Sequence, residues 1–235
     1  MLNRSLGESW PEQDVWIKSF YGLWLERQQN SEKGSDAMKG KEKPIQFASI
    51  EEIRALLDRY WSTEIEEVFE DPRTLDVYLK ILDDYRNPDS RRRELLRHQK
   101  HLLLGISGDI RSRIVLYRSM QEMGGPYPRI ESVRDNLGNL WTPGSPRRLK
   151  TDNTLHVGDE LEFIITATDV EEQELSYRCH HTKWQTNNIL IIPIERNMVE
   201  KQGLFHLMIR SDRKHHAYKM GFDDRVTIEY QIIIQ

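Results

Sequence analysis

Cationic side chains are concentrated in one short segment of this chain, residues 85–101, although the formal net charge of the whole sequence is −4. The segment reads YRNPDSRRRELLRHQKH and contains arginines, a lysine and two histidines. Arginine is a planar fork of hydrogen-bond donors that fits phosphate oxygens, and histidine titrates near neutral pH. In an acidic chain a nucleic-acid site must be a local patch, and this segment is the densest candidate. The alternative is a solvated turn in which Arg86 caps the C-terminus of a helix.

The segment spans the end of one predicted helix, a turn and the start of the next helix. Asp71 and Pro72 form a good N-cap and first-turn pair, and the apolar period of a helix continues from there to about Arg86. Pro88 ends the helix, because it disfavours helical geometry at the residue before it. The helical period resumes near Glu94. The cationic segment is therefore predicted to be a bend between two long helices.

Two further regions precede these helices. Apolar residues spaced by three and four positions predict a helix within residues 1–30, and the polar, glycine-bearing residues 31–45 predict a flexible linker. A new helix begins after Ser49, because Ser49 and Glu52 have the spacing of a capping box. We therefore predict a helical bundle over residues 46–122, in which the last two helices form a hairpin.

The periodicity changes after residue 127. Apolar and polar residues alternate in GDELEFIITATD and VTIEYQIII, which is the two-residue repeat of half-buried strands. With the shorter β-rich runs between them, the sequence predicts about seven strands and no helix. The predicted fold class is therefore α+β and multidomain, with an N-terminal all-α bundle and a C-terminal antiparallel β-sandwich over residues 127–235.

The amino-acid composition limits the other classes of function. No window holds the roughly 18 apolar residues that a membrane span requires, and Cys179 is the only cysteine, so we expect a cytoplasmic protein without disulfides. The pairs His180–His181 and His215–His216 are expected in solvated loops or at edges, because neighbouring residues on a strand face opposite sides. We predict no metal site and no cofactor. Calcium at the acidic runs is the weaker alternative.

Residues 46–122 resemble the HEPN superfamily (higher eukaryote and prokaryote nucleotide-binding) of helical domains. The similarity lies in a helix that ends in DYRNP, a short turn, the tripeptide REL and a following helix that contains LLLGISGDIRSRI. Bacterial branches of the family carry a pattern close to YRNPxxHxREL, followed by GxxGxIR. The resemblance implies a helical dimer that cleaves RNA without a metal ion, as many members do in toxins and anti-phage systems.

The resemblance also implies which residues form the site. In the family, an Arg-polar-x-x-x-His motif from each of two protomers meets at the dimer interface, where arginine binds the scissile phosphate and histidine acts as acid or base. Here Arg91 stands at the histidine position, and its guanidinium stays protonated and cannot act as a base. His98 follows Arg93 at a related spacing, but the two lie on roughly opposite faces of one helix. The residues implied are Arg86, Asn87 and Arg91 for catalysis, and Arg92, Arg93, Arg97 and His98 for RNA binding.

The β region has a resemblance of its own. The run GDELEFIITATDVEEQELSYR is similar to cadherin-like and polycystic-kidney-disease-like domains of the immunoglobulin type. The calcium-binding acidic series of cadherins is incomplete, since Val170 and Glu171 replace part of it. Such domains bind or space partners, so the resemblance implies a protein partner for the β-sandwich.

These observations lead to one expected function and two alternatives. We expect an HEPN-type, metal-independent endoribonuclease effector of a bacterial toxin or anti-phage system, impaired by Arg91. Its partners would be RNA and a second copy of the chain, bound through the helical domain, with no membrane involved. A non-enzymatic RNA- or protein-binding adaptor is the alternative from another class. Nucleotide binding by the helical bundle also stays open, although no glycine-rich phosphate loop supports it.

Overall fold

The computed structural model describes residues 15–32, 44–86, 94–201 and 203–234, with helices first and β-sheets after them. The helices are α1 (Val15–Glu32), α2 (Ile50–Arg59), α3 (Thr63–Phe69), α4 (Pro72–Arg86) and α5 (Arg97–Met123). The strands are β1 (Arg129–Asp135), β2 (Leu140–Trp141), β3 (Arg148–His156), β4 (Glu160–Thr168), β5 (Leu175–Cys179), β6 (Ile189–Pro193), β7 (Leu204–Ser211) and β8 (Asp224–Ile233). Short 3₁₀ turns lie at Pro44–Phe47 and Arg196–Lys201. The mixed α+β class is thereby confirmed.

The chain divides into two compact units, and the division falls within α5 after Ile114. Among the described residues, the helical unit comprises 15–32, 44–86 and 94–114, and the second unit comprises 115–201 and 203–234. Within the predicted linker, residues 31–32 belong to α1 and residues 44–45 to a 3₁₀ turn. In the described part of the chain, no helix has the length and apolar character needed to cross a lipid bilayer.

Glu52 joins α1 to α2 in the helical unit. Its side chain accepts the Ser49 backbone N–H at 2.7 Å, and its own N–H donates to Ser49 Oγ at 3.2 Å, so the predicted capping box is confirmed. The same carboxylate accepts the indole N–H of the fully buried Trp24 at 2.9 Å and a two-pronged contact from Arg27 at 2.8 and 3.0 Å. Burial alone would raise the pKa of Glu52, but these donors outweigh it and lower the pKa.

Helix α4, which ends within the cationic segment, has the predicted bounds. It begins at Pro72 and ends at Arg86. The Asp71 carboxylate accepts the backbone N–H groups of Arg73 and Thr74, each at 3.1 Å, which satisfies two unpaired donors of the first turn. Helix α3 was not predicted, because its short sequence TEIEEVF carries three glutamates, but Ile65 and Val68 are buried.

The second unit contains two four-stranded sheets, with strand orders β2-β1-β4-β6 and β3-β8-β7-β5. Every pairing is antiparallel except β3 with β8, which is parallel, so the expectation of a wholly antiparallel arrangement was wrong for this edge strand. The strands β2 and β3 were also missed. The β3 sequence RLKTDNTLH lacks regular alternation, and its register against β8 shifts between Lys150 and Thr154.

One hydrophobic core is built from inward-facing residues of both sheets. The ring centroids of Phe163 on β4 and Phe205 on β7 are 5.8 Å apart, and Tyr230 on β8 lies 5.6 Å from Phe205. The hydroxyl of Tyr230 donates to Asp135 inside this core, so its polar end is satisfied. Burial, and then the charge of Asp135, raise the pKa of Tyr230.

Replacing Glu52 with glutamine should destabilise the helical unit by about 1–3 kcal/mol, because Arg27 would lose a charged acceptor. Urea unfolding, followed by circular dichroism near 222 nm where helices dominate the signal, measures this loss. Glu51→Gln is the matched control, since Glu51 lies on the same helical turn but is exposed. Equal stabilities for the two variants would contradict the role given to Glu52.

Gly203 is a second position whose residue type matters, because its backbone conformation and surroundings require glycine. Its φ is +56°, it accepts the backbone N–H of Tyr230 at 3.0 Å, and a Cβ placed there would overlap the backbone carbonyl oxygen of Tyr230. Gly203→Ala should therefore cost about 1–3 kcal/mol more than Gly221→Ala. Gly221 also has a positive φ, +79°, but open space around its Cα. Chemical denaturation of both variants measures how much free energy of unfolding each one loses. Equal losses would contradict the predicted overlap.

Candidate functional site

The cationic segment, residues 85–101, includes the end of α4 and the start of α5. Arg86 is the last residue of α4, and Arg97 and His98 are exposed on the first turn of α5. The Leu96 backbone N–H donates to Gln99 Oε1 at 2.8 Å, which helps to define where α5 begins. The predicted site residues Asn87, Arg91, Arg92 and Arg93 lie outside the described residues, as does the side chain of Arg86. Of the predicted set, the structure therefore describes the side chains of Arg97 and His98.

A second group of cationic residues lies on the outward face of the sheet β3-β8-β7-β5. Strand register aligns Arg148, Thr227 and His206 as one row across three neighbouring strands. The Nδ1 atom of His206 lies 2.9 Å from Thr227 Oγ1. The row continues to His180, whose N–H donates to the carbonyl of His206 at 3.0 Å and whose Nδ1 accepts the His206 N–H at 3.2 Å. Three strands thus place a cation, a hydroxyl and an imidazole side by side.

This row forms part of a cavity of about 330 Å³ that we call the arginine pocket. Its cations come from the loop before β3, from β3 itself and from β8, and an aromatic ring contributes to the wall. The lining residues are Arg147, Arg148, Leu204, His206, Tyr218, Arg225 and Thr227. Sequence reasoning named none of them, because they are scattered over some eighty positions and meet only through the sheet.

Two of the three pocket arginines have carboxylate partners. The Arg147 guanidinium contacts Glu122 Oε2 at 2.7 Å and Asp224 Oδ1 at 3.0 Å, while Arg148 Nε contacts Glu229 Oε2 at 2.9 Å. Within the part of the chain that the structure describes, no carboxylate lies at ion-pair distance from Arg225, which is exposed and lies 5.9 Å from the ring centroid of Phe222. Arg225 is therefore the pocket arginine whose guanidinium is most available to bind an external anion.

Burial and, to a smaller extent, neighbouring positive charges change the protonation of groups in and beside the pocket. Burial lowers the pKa of His206 below its usual value, and the charges of Arg225 and Arg148 lower it further. Burial also lowers the pKa of Arg129 to about 10; the charge of Asp224 opposes this shift, and the charges of Arg147 and Arg118 add to it. The imidazole of His206 is therefore predominantly neutral at pH 7.

One of the two histidine pairs named in the sequence lies in a turn, in agreement with the expected loop position. The His180 and His181 rings lie 3.6 Å apart, centroid to centroid, so the expectation that they face opposite sides was wrong. The reason is that β5 ends at Cys179 and the pair occupies the turn after it. Among the described residues, no group of histidine, cysteine, aspartate and glutamate side chains is arranged to hold a metal ion.

Two tryptophans of the second unit make specific contacts with neighbouring groups. Trp141 is buried, and its indole N–H donates to the carbonyl of Pro146 at 2.8 Å. The guanidinium carbons of Arg210 and Arg178 lie 4.4 and 5.9 Å from the ring of Trp184, which are cation–π distances. These two arginines extend the cationic character of the same sheet face.

Comparison with known proteins finds no family model that matches the chain and no curated protein that matches it.

His206 should make the protein less stable in mild acid. Its lowered folded pKa means that the unfolded chain binds the proton more strongly, so stability falls as pH drops below about 6.5, the unfolded value. The loss of melting temperature between pH 7.5 and pH 5.5 should be smaller in His206→Gln than in the wild-type chain. His215→Gln, which removes an exposed histidine, should keep the wild-type pH dependence. Identical pH profiles for wild type and His206→Gln would contradict this assignment.

Proposed function

We propose that this chain is an RNA-binding effector of the HEPN type that acts in a bacterial toxin or anti-phage system in the cytoplasm, with cleavage impaired by Arg91. The observation that supports the proposal is that α4 extends to Arg86 and α5 begins at Arg97, one on each side of the segment that carries the motif. The exposure of Arg97 and His98 at the start of α5 leaves them accessible to a polyanion.

The chemistry follows from the residue types. Arg86 and Asn87 would hold the scissile phosphate, and the guanidinium groups of Arg92, Arg93 and Arg97 would bind flanking phosphates. A 2′-hydroxyl needs a base to attack the adjacent phosphorus, and Arg91 cannot accept its proton. Two copies of the bend would have to face each other to form one site. RNA would therefore be held between protomers but cut slowly.

The second unit would give the effector its partner. Two four-stranded sheets that share a core support an immunoglobulin-like β-sandwich, as the sequence resemblance implies. We infer that this unit recognises a protein that controls or directs the helical unit.

An adaptor without enzymatic ancestry is the second candidate function, and exposed apolar side chains support it. Leu96, Leu102 and Leu104 near the start of α5 are 58%, 44% and 71% exposed. Apolar residues left in water at this density are typical of a surface that another protein covers. An adaptor of this kind would have no use for an intact phosphate-binding bend.

Restoring the histidine should restore cleavage. Arg91→His is expected to cut single-stranded RNA in the presence of EDTA, whereas the wild-type chain should only bind RNA, with an affinity that falls steeply as salt rises. A fluorescent RNA substrate resolved on a denaturing gel measures cleavage, and fluorescence anisotropy measures binding.

Arg92→His is the matched control, because it adds a histidine one position out of the motif and should not cut. Arg86→Gln introduced into the Arg91→His variant should abolish cleavage. Light scattering of the same samples should give the mass of a dimer. If Arg91→His is inert and the wild-type chain shows no salt-sensitive RNA binding, the adaptor is the better account. A monomeric mass under cleaving conditions would refute the paired site.

A further inference from the structure

The arginine pocket has the features of a binding site for a small phosphorylated ligand. Cationic side chains from separate elements converge on one cavity, and an aromatic ring lines the same cavity. We propose that the arginine pocket binds a nucleoside monophosphate, with the phosphate held by Arg148, Arg225 and His206 and the base stacked on Tyr218. The inference does not rest on the function proposed for the helical unit.

The phosphate subsite follows from strand register. Arg148 lies opposite Thr227 on β8, and Thr227 lies opposite His206 on β7, so a cation, a hydroxyl and an imidazole converge from three strands. Arg148 uses its Nε for Glu229 and its side chain is 56% exposed, which leaves the outer N–H groups of its guanidinium in reach of a ligand. With the Thr227 hydroxyl donating to His206 Nδ1, the Nε2–H of the neutral imidazole and the outer guanidinium N–H groups are the donors that match the several oxygens of one phosphate group.

The charge balance around the pocket leaves an excess of positive charge. Arg147 and Arg148 line the pocket, and together with the two arginines that share their carboxylate partners they form a network of four arginines (Arg118, Arg129, Arg147, Arg148) and three carboxylates (Glu122, Asp224, Glu229). Arg225 adds a further cation that has no carboxylate partner within the described residues. A concave site with one sign of charge in excess concentrates counter-ions, so an anion is the ligand that this cavity favours.

The remainder of the cavity fits a nucleoside. Its volume of about 330 Å³ lies at the lower end of the range for small-molecule pockets, about 300–1,000 Å³. The Tyr218 ring stacks on Phe222 with centroids 4.5 Å apart and planes at 21°, so one ring face is supported and the half-exposed residue presents its remaining surface to the cavity. A supported aromatic ring is a stacking platform for a base, and Leu204 adds an apolar contact.

The distribution of cations favours a mononucleotide over an RNA strand. A strand needs a track of free cations along its backbone. On this sheet face the next arginines, Arg178 and Arg210, are stacked against Trp184. The free donors therefore converge on one cavity of limited size, which suits a ligand with a single phosphate.

Isothermal titration of the full-length chain with AMP, GMP, CMP and UMP tests the proposal, with adenosine and inorganic phosphate as partial ligands. We expect saturable binding of at least one nucleotide at one site per chain, with adenosine and phosphate each binding at least about tenfold more weakly. Arg225→Gln and Arg148→Gln should each weaken nucleotide binding by about tenfold or more. Tyr218→Ala should weaken the nucleotide but leave the affinity for inorganic phosphate unchanged.

Arg134→Gln is the matched control, because it removes an exposed arginine from β1 in the other sheet and should bind nucleotide like the wild-type chain. Thermal melts confirm that each variant is folded. The proposal is overturned if no nucleotide binds, if adenosine binds as well as AMP, or if Arg225→Gln has no effect. It is also overturned if short single-stranded RNA binds through Arg225 while mononucleotides do not. None of these outcomes depends on cleavage by the helical unit, so the two proposals fail separately.

Discussion

The second unit depends on the alternation of side chains along β8. This strand lies between β3 and β7, and its inward residues, among them Ile228 and Tyr230, form the centre of the core. Because successive residues face opposite sides, the same register that buries those residues directs Arg225 and Thr227 outward. A slip of one residue would bury the cation and expose the core. The hydrophobic effect thereby fixes the position of the arginine pocket.

Buried charges connect α5 to this sheet. Asp224, at the start of β8, is 1% exposed and accepts the Ile130 backbone N–H at 2.8 Å, while the fully buried Arg129 reaches both Asp224 and Glu122. Glu122 also holds Arg147 at the rim of the pocket. Because an unpaired buried charge is costly, the last turn of α5, β1 and β8 must keep this arrangement together. The pocket is thus supported from outside its own sheet.

Local signals in the sequence predicted the starts of α2 and α4. The capping box at Ser49 and the start of α4 at Pro72 follow from hydrogen bonds between residues three positions apart or fewer, so they need no tertiary information. Helix α3 was missed because seven residues, three of them acidic, are too few to show a clear apolar period, and the burial of Ile65 against the rest of the unit stabilises a helix this short. The contacts from Trp24 and Arg27 to Glu52 could not be predicted, since they cross 28 and 25 positions.

The sequence by itself determined the α+β class, the bounds of α4 and the strands with regular alternation, because each depends on interactions between near neighbours. It also contains the concentration of cations in residues 85–101. Only the tertiary structure decided that β3 pairs with β8 in parallel and that Arg148, His206 and Arg225 meet in one cavity. The physical reason is that pairing between distant strands is selected by the burial of their inward faces. The same pairing also determines which outward residues become neighbours. No local pattern in the sequence shows that these residues will lie close together.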